Sequence, residues 1–122
     1  MGKVVVIGAS LHPLRYSYQA VKNLLERGYD VVPVGIRNGQ IGNAVINTER
    51  APIEDVDIIL LYISKEKQIE YYDYILQLKP GVLLFNPGTE NPELDKICSE
   101  HGIEVIYDCA LILIESDELN ST

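Results

Sequence analysis

Lys3-Val4-Val5-Val6-Ile7-Gly8-Ala9-Ser10 decides the fold. The apolar run Val4–Ile7 is too short for a buried helix, so it reads as a strand covered on both faces, as strands of a parallel sheet are. It ends in three small residues, which let backbone come close to a ligand. A helix capped by Ser17 follows, with Ala20, Val21, Leu24 and Leu25 recurring at helical spacing. Its N-terminal N–H groups point back at the small-residue turn, an arrangement that receives a phosphate or pyrophosphate.

The same alternation continues along the chain. Gly28 stops the first helix and Val31–Val34 is the second strand, with Pro33 removing one ladder donor. Gly35–Arg50 is a Gly- and Asn-rich loop with a brief extended piece at Ala44–Ile46, and Pro52–Asp55 is a turn or single helical turn. Val56–Ile63 is an almost wholly apolar, central third strand. Ser64 caps a helix through Leu78 that turns Ile69, Tyr72, Ile75 and Leu76 inward, and Pro80-Gly81 stops it. Val82–Phe85 is the fourth strand. Asn91 caps a helix with Pro92 at its first position, and Gly102 ends it before the fifth strand, Glu104–Tyr107. Leu111–Ile114 is a last short helix or strand, and Glu115–Thr122 reads as exposed and frayed. Strands alternating with helices of this length give an α/β fold: a Rossmann-like, doubly wound, five-stranded parallel sheet with helices on both faces, in one domain over residues 1–122.

Composition bounds the partners. The formal net charge of −8 argues against nucleic acid, which is bound by excess Lys and Arg. No run approaches the roughly 18 apolar residues of a membrane span, and Ser10, His12 and Arg15 interrupt any signal-peptide core. Two cysteines form no disulfide framework and suit a reducing compartment, so a cytoplasmic location is expected.

In a sheet of this kind the ligand crevice lies beyond the carboxyl ends of the strands. Candidate binding residues are therefore Gly8, Ala9, Ser10 and Ser17 after the first strand, Gly35 and Arg37 after the second, Ser64 after the third, Asn86 and Gly88 after the fourth, and Cys109 after the fifth. The Gly-x-Gly-x-x-Gly motif is absent, and the acidic residue that accepts hydrogen bonds from the ribose of NAD is replaced by Gly35-Ile36-Arg37. A cation there pairs with a phosphorylated ribose, which favours NADP or coenzyme A over NAD, or it is a solvated surface residue. Ser17 contacts phosphate or only caps its helix, and Asn86–Thr89 meets the ligand or is an ordinary turn. Cys109 has no activating base or cation beside it in sequence and reads as a packing thiol, as does Cys98 within its helix. His12 and His101 stand at no metal-ligand spacing with cysteines or carboxylates. No catalytic residue and no metal ligand is assigned. The Tyr71-Tyr72-Tyr74 cluster reads as core or as a subunit contact, which keeps a homo-oligomer among the expected partners.

Val5-Val6-Ile7-Gly8-Ala9-Ser10, Ser17-Tyr18, Leu24-Leu25 and Gly28-Tyr29-Asp30-Val31-Val32-Pro33-Val34, with Ile41-Gly42, Asp57-Ile58, Gly88, Gly102-Ile103 and Asp108-Cys109, resemble the small stand-alone CoA-binding domain proteins. These are relatives of the N-terminal domain of the succinyl-CoA synthetase alpha subunit, and the resemblance extends to about Cys109. It implies a Rossmann-like sheet that binds coenzyme A or a short acyl-CoA through its nucleotide end, with Gly8, Ala9, Ser10 and Ser17 at the phosphate-side positions. It departs where the common Val-Asn-Pro reads Val34-Gly35-Ile36, and where Trp-x-Gln-x-Gly reads Leu84-Phe85-Asn86-Pro87-Gly88. The phosphohistidine and nucleotide-grasp parts of the synthetase have no counterpart, so the resemblance implies binding without ligase activity: a carrier, sensor or regulatory module. The rival readings are an NADP-linked or acyl-CoA-handling enzyme and an interaction subunit whose crevice holds no ligand.

Overall fold

A computed structural model describes residues 2–121. In chain order the main elements are β1 (Lys3–Ile7), α1 (Tyr16–Glu26), β2 (Val31–Val34), β3 (Gln40–Ile41), β4 (Ala44–Val45), β5 (Val56–Leu61), α2 (Lys65–Gln68), α3 (Tyr72–Leu78), β6 (Val82–Phe85), α4 (Pro92–Glu100), β7 (Glu104–Tyr107) and α5 (Ala110–Glu115).

Strand residues point alternately to opposite faces, and the sheet uses both. Val5, Ile7, Ile59, Leu61, Leu83 and Phe85 pack against Tyr74, Ile75, Leu78, Leu94 and Cys98 of α3 and α4. Val4, Val6, Ile58, Leu60, Val82 and Leu84 pack against Ala20, Val21, Leu24, Ala110 and Ile114 of α1 and α5. A strand apolar on both faces must be covered on both, which is why the helices divide between two layers. All five strands run parallel, in the order β2-β1-β5-β6-β7. The chain steps from β1 outward to β2, then crosses to the other side of β1. That reversal opens a crevice at the carboxyl ends of β1 and β5.

Pro33 is tolerated because β2 is an edge strand. Its carbonyl faces outward, accepting from Asn47 N–H at 2.9 Å, so the missing N–H also lies on the side away from β1. The outer edge is closed at that point by a bridge from Val34 to Asn47.

Several boundaries differ from the sequence reading. Ser17 is not the cap of α1: Arg15 holds that position, and Ser17 lies buried in the first turn. The loop before it closes on itself, with His12 N–H donating to Ser10 Oγ (3.1 Å) and Leu14 N–H to His12 Nδ1 (3.2 Å). The extended piece at 44–46 is half of an antiparallel hairpin, β3 with β4. The turn at 52–55 contains no helix, and Asp55 takes a left-handed φ of 60°. β5 ends at Leu61, so Tyr62 and Ile63 leave the sheet. The expected single helix from Ser64 to Leu78 is broken by a 3-10 turn, Ile69–Tyr71, and Ile69 is 60% exposed rather than inward.

The 111–114 segment is helical, as α5, and the tail after it is not frayed over 116–121, Thr122 lying outside the described residues. Asp117 N–H bonds to Ile114 O and Glu118 N–H to Leu113 O, with Asp117 at a φ of 59°, a left-handed stop made without glycine. The stop folds the chain back, fully buries Leu119 and sets Asp117 against Arg27 at 3.2 Å. Gly28 and Gly102 make the same stop after α1 and α4, as read from the sequence, and Asn91 caps α4 through Leu94 N–H.

Candidate functional site

One cleft of about 740 Å³ runs across the carboxyl ends of the five parallel strands, from Arg37 after β2 to Cys109 after β7. Two glycines set its floor. Gly8 has a φ of +96°, and a Cβ there would stand 2.8 Å from Ile63 Cγ2 and 3.0 Å from the Tyr62 carbonyl carbon. A Cβ on Gly35 would meet Ala9 O at 2.6 Å. Both positions need glycine for the protein's own packing, quite apart from any ligand.

The backbone donors facing the cleft differ from those expected. Gly8 N–H and Ala9 N–H both donate to Val34 O, each at 2.9 Å, which ties β1 to β2 and leaves neither open to a ligand. Ser10 N–H and Leu11 N–H have no partner among the described residues. Ser10 Oγ accepts from His12 N–H but keeps its own proton to donate. Ser17 is 4% exposed, lines the cleft and makes no side-chain hydrogen bond to another described residue. With the unpaired N–H groups of the first turn of α1, these donors make an anion cradle.

Charge reinforces it. Arg15, Arg37 and Lys67 line the cleft, and none of their side chains has a partner among the described residues. Glu70, the one carboxylate among the described lining residues, is exposed and paired with Arg50, whose Nη2 lies 3.6 Å from Glu70 Oε2 and whose Nη1 donates to Glu70 O at 2.8 Å. The same guanidinium stacks 4.3 Å over the Tyr71 ring. In a chain of net charge −8, the cleft is a local excess of positive charge.

The far end is held from within. Asn86 Nδ2 donates to Leu61 O (2.9 Å) and Asn86 Oδ1 accepts from Ala110 N–H (2.8 Å), joining β5, β6 and α5. Gln68, fully buried, donates to Ile63 O (2.9 Å) and Thr89 O (2.7 Å) and accepts from Asn91 Nδ2 (2.9 Å). Tyr62 Oη is the one buried side-chain polar atom without a hydrogen-bond partner among the described residues. Burial pushes its ionisation far above that of an ordinary phenol. The Cys109 thiol adds to this, and the nearby Asn86 amide opposes it without reaching hydrogen-bond geometry. Cys98 is pushed up to about 11 by burial and then by Asp95, as befits a core thiol.

The cleft thus brings together Gly8, Ala9, Ser10, Ser17, Gly35, Arg37, Asn86 and Cys109. Ser64 and Gly88 lie outside its lining. Ser64 stands at the cap position of α2 with no capping side-chain bond, and Gly88 N–H donates to the Glu90 carboxylate at 3.0 Å. Arg15, Lys67 and Tyr62 were missed. The sequence reading attaches no binding role to the first two, and Tyr62 falls inside its third strand, Val56–Ile63. The usable signal was their common position just past a strand end. Among the described residues no three His, Cys, Asp or Glu side chains gather as a metal set, and no helix is long and apolar enough to cross a membrane.

Fold and cleft define a Rossmann-like α/β protein with a phosphate-friendly crevice at its switch point. A family model described as "CoA binding domain" matches residues 2–115, and the chain belongs to that family. It is similar in structure to a crystal structure of an uncharacterised protein, with 41% identity, a TM-score of 0.93 and 98% of each chain covered. It is also similar to cell-free ID.343 from Thermus thermophilus, at 25% identity and a TM-score of 0.85, over 97% of this chain and 90% of that one. A hypothetical protein from Pyrococcus horikoshii OT3, 24% identical with a TM-score of 0.84 over 97% and 84% of the chains, shares the fold.

Proposed function

We propose that this cleft binds coenzyme A or a short acyl-CoA through its nucleotide end, and that the chain acts as one non-catalytic carrier, sensor or regulatory domain in the cytoplasm. The observation that carries this is the coincidence of the unpaired donors at Ser10, Leu11 and α1 with three partnerless cations on one cleft of an acidic protein. CoA brings a pyrophosphate and a 3′-phosphate, the charge pattern such a cradle accepts. The pyrophosphate is assigned to Ser10, Ser17 and the α1 N-terminus. The 3′-phosphate is assigned to Arg37, past the end of β2, where the ribose lies in this fold. Gly8, Ala9 and Gly35 let the backbone run close beneath the ligand. Leu14, Tyr16 and Ile36, at 78%, 69% and 85% exposure, leave apolar surface at the mouth for the adenine ring. The cleft crosses four strand spacings, about 19 Å, long enough for the pantetheine arm to extend toward Asn86 and Cys109. The non-catalytic assignment is supported by the pairing of Glu70 with Arg50 and by the lack, among the described residues, of an acid–base pair in hydrogen-bond contact in the lining.

The test is a calorimetric titration of CoA, dephospho-CoA and NADPH in one buffer, with the parent and with Arg37→Ala. CoA is expected to bind the parent about tenfold more tightly than dephospho-CoA, the low end for a charge-assisted bond at an exposed site. That gap closes in Arg37→Ala. Equal affinity of the parent for CoA and dephospho-CoA overturns the Arg37 assignment, and tighter binding of NADPH than of CoA overturns the ligand assignment.

A further inference from the structure

Glu70 is the one group of the cleft that an anionic ligand does not explain. It is the sole carboxylate among the described lining residues, and a carboxylate beside an anion site opposes the ligand. Arg50 answers it from outside the lining. Its guanidinium is fixed at three points: Nη1 donates to Glu70 O at 2.8 Å, Nη2 lies 3.6 Å from Glu70 Oε2, and Cζ stacks 4.3 Å over the ring of Tyr71, itself a lining residue. A planar guanidinium with several donors can meet all three partners at once, which an ammonium cannot. The loop that carries Arg50 is tied down on both sides. Asn47 N–H donates to Pro33 O of β2 at 2.9 Å, and Asn47 Oδ1 accepts from Glu49 N–H (3.1 Å) and Ala51 N–H (3.2 Å). Tyr74 Oη of α3 donates to Ala51 O at 2.6 Å. Arg50 itself takes a left-handed φ of 52°, a conformation that costs an L residue free energy.

We infer that Arg50 is a positioning residue for ligand charge: it neutralises and anchors Glu70, and so keeps the cleft selective for a polyanion without touching the ligand. This rests on the CoA reading above. The two side chains are 41% and 73% exposed, and an ion pair so exposed adds little to folding stability. Its effect on a bound polyanion is larger, because the charges around a cleft act on the ligand together. CoA carries a pyrophosphate and a 3′-phosphate, and an uncancelled Glu70 repels each of them. The pair is also open to solvent, so its influence on binding fades as salt screens it.

The experiment measures CoA affinity by calorimetry at about 50 mM and about 500 mM salt, for the parent, Arg50→Asn, Glu70→Gln and the double variant. Asparagine tolerates a left-handed backbone, so it removes the charge and keeps the loop. Arg50→Asn is expected to bind CoA about threefold more weakly at the lower salt, with the gap to the parent narrowing at the higher. Glu70→Gln is expected to bind at least as tightly as the parent. The double variant is expected to return to parental affinity, because it lacks both charges of the pair. An unchanged affinity in Arg50→Asn overturns the proposal. So does a loss that Glu70→Gln fails to restore, or one equal at both salts, since either means that Arg50 acts through the shape of the wall. Weaker binding by Glu70→Gln alone also overturns it, and that variant keeps Arg50 in place, so this arm does not depend on how Arg50→Asn folds. Each of these results leaves the CoA reading intact. If the parent does not bind CoA, the CoA reading falls and this inference falls with it.

Discussion

Gln68→Leu tests what holds the far wall of the cleft in place. Gln68 is fully buried, and its amide makes three hydrogen bonds: to Ile63 O, to Thr89 O and from Asn91 Nδ2. These link the loop after β5 to the loop after β6, beyond the Asn86–Leu61 bond that joins the two strand ends. Leucine has nearly the same volume, so the substitution removes the bonds and opens little space. Each bond contributes about 1 kcal/mol net, and each partner left buried and unpaired costs about 1–3 kcal/mol more unless water reaches it. The better burial of a leucine side chain offsets part of this, about 1.5–3 kcal/mol at most. The expected loss is about 3 kcal/mol, a large share of the 5–15 kcal/mol typical of a folded domain. In urea, where m is about 1–3 kcal/mol/M for small proteins, the midpoint should fall by about 1–3 M. The measurement is urea unfolding followed by far-ultraviolet circular dichroism, with the slope checked to be unchanged. A loss below about 1 kcal/mol would refute the reasoning, since it would mean that the three partners satisfy themselves without Gln68.

Gly35→Ala should lose about 1–3 kcal/mol, the usual cost of overpacking, because its Cβ would meet Ala9 O at 2.6 Å; a thermal midpoint equal to the parent's would show that the β1 loop can yield. The tyrosines give a pH signature. Tyr107 is pushed up to about 12 by burial and by its 2.6 Å hydrogen bond to Asp95, and Tyr29, Tyr62, Tyr72 and Tyr74 are also raised, chiefly by burial. A folded phenol that ionises above its unfolded value of 10.0 adds stability that is fully present below pH 10 and lost as pH rises through about 12. The contribution of Tyr107 is small, as the residue is 48% exposed. Phenolate absorbance in the native protein should therefore lag that of the urea-unfolded chain, and coincident titration curves would contradict the packing described for these rings.

The sequence determined the layers. Apolar runs such as Val4–Ile7 and Val82–Phe85 must be covered on both faces, and Gly28, Gly102 and Asn91-Pro92 mark helix ends by local sterics and capping, which act within a few residues. What required the tertiary structure was everything set by distant partners. Asp117 stops α5 in a left-handed turn that the sequence does not advertise, because Leu119 has a core site to enter. The helix after Ser64 breaks at Ile69–Tyr71, where the neighbouring Gln68 is drawn into a buried network with Thr89 and Asn91. Arg15, Arg37 and Lys67 stand on three separate segments past the ends of β1, β2 and β5, and only the order β2-β1-β5 puts those segments around one cleft. Periodicity is a property of a segment and can be read along the chain. The meeting of side chains from segments tens of residues apart depends on strand order and loop path, and these are fixed only when the whole sheet is assembled.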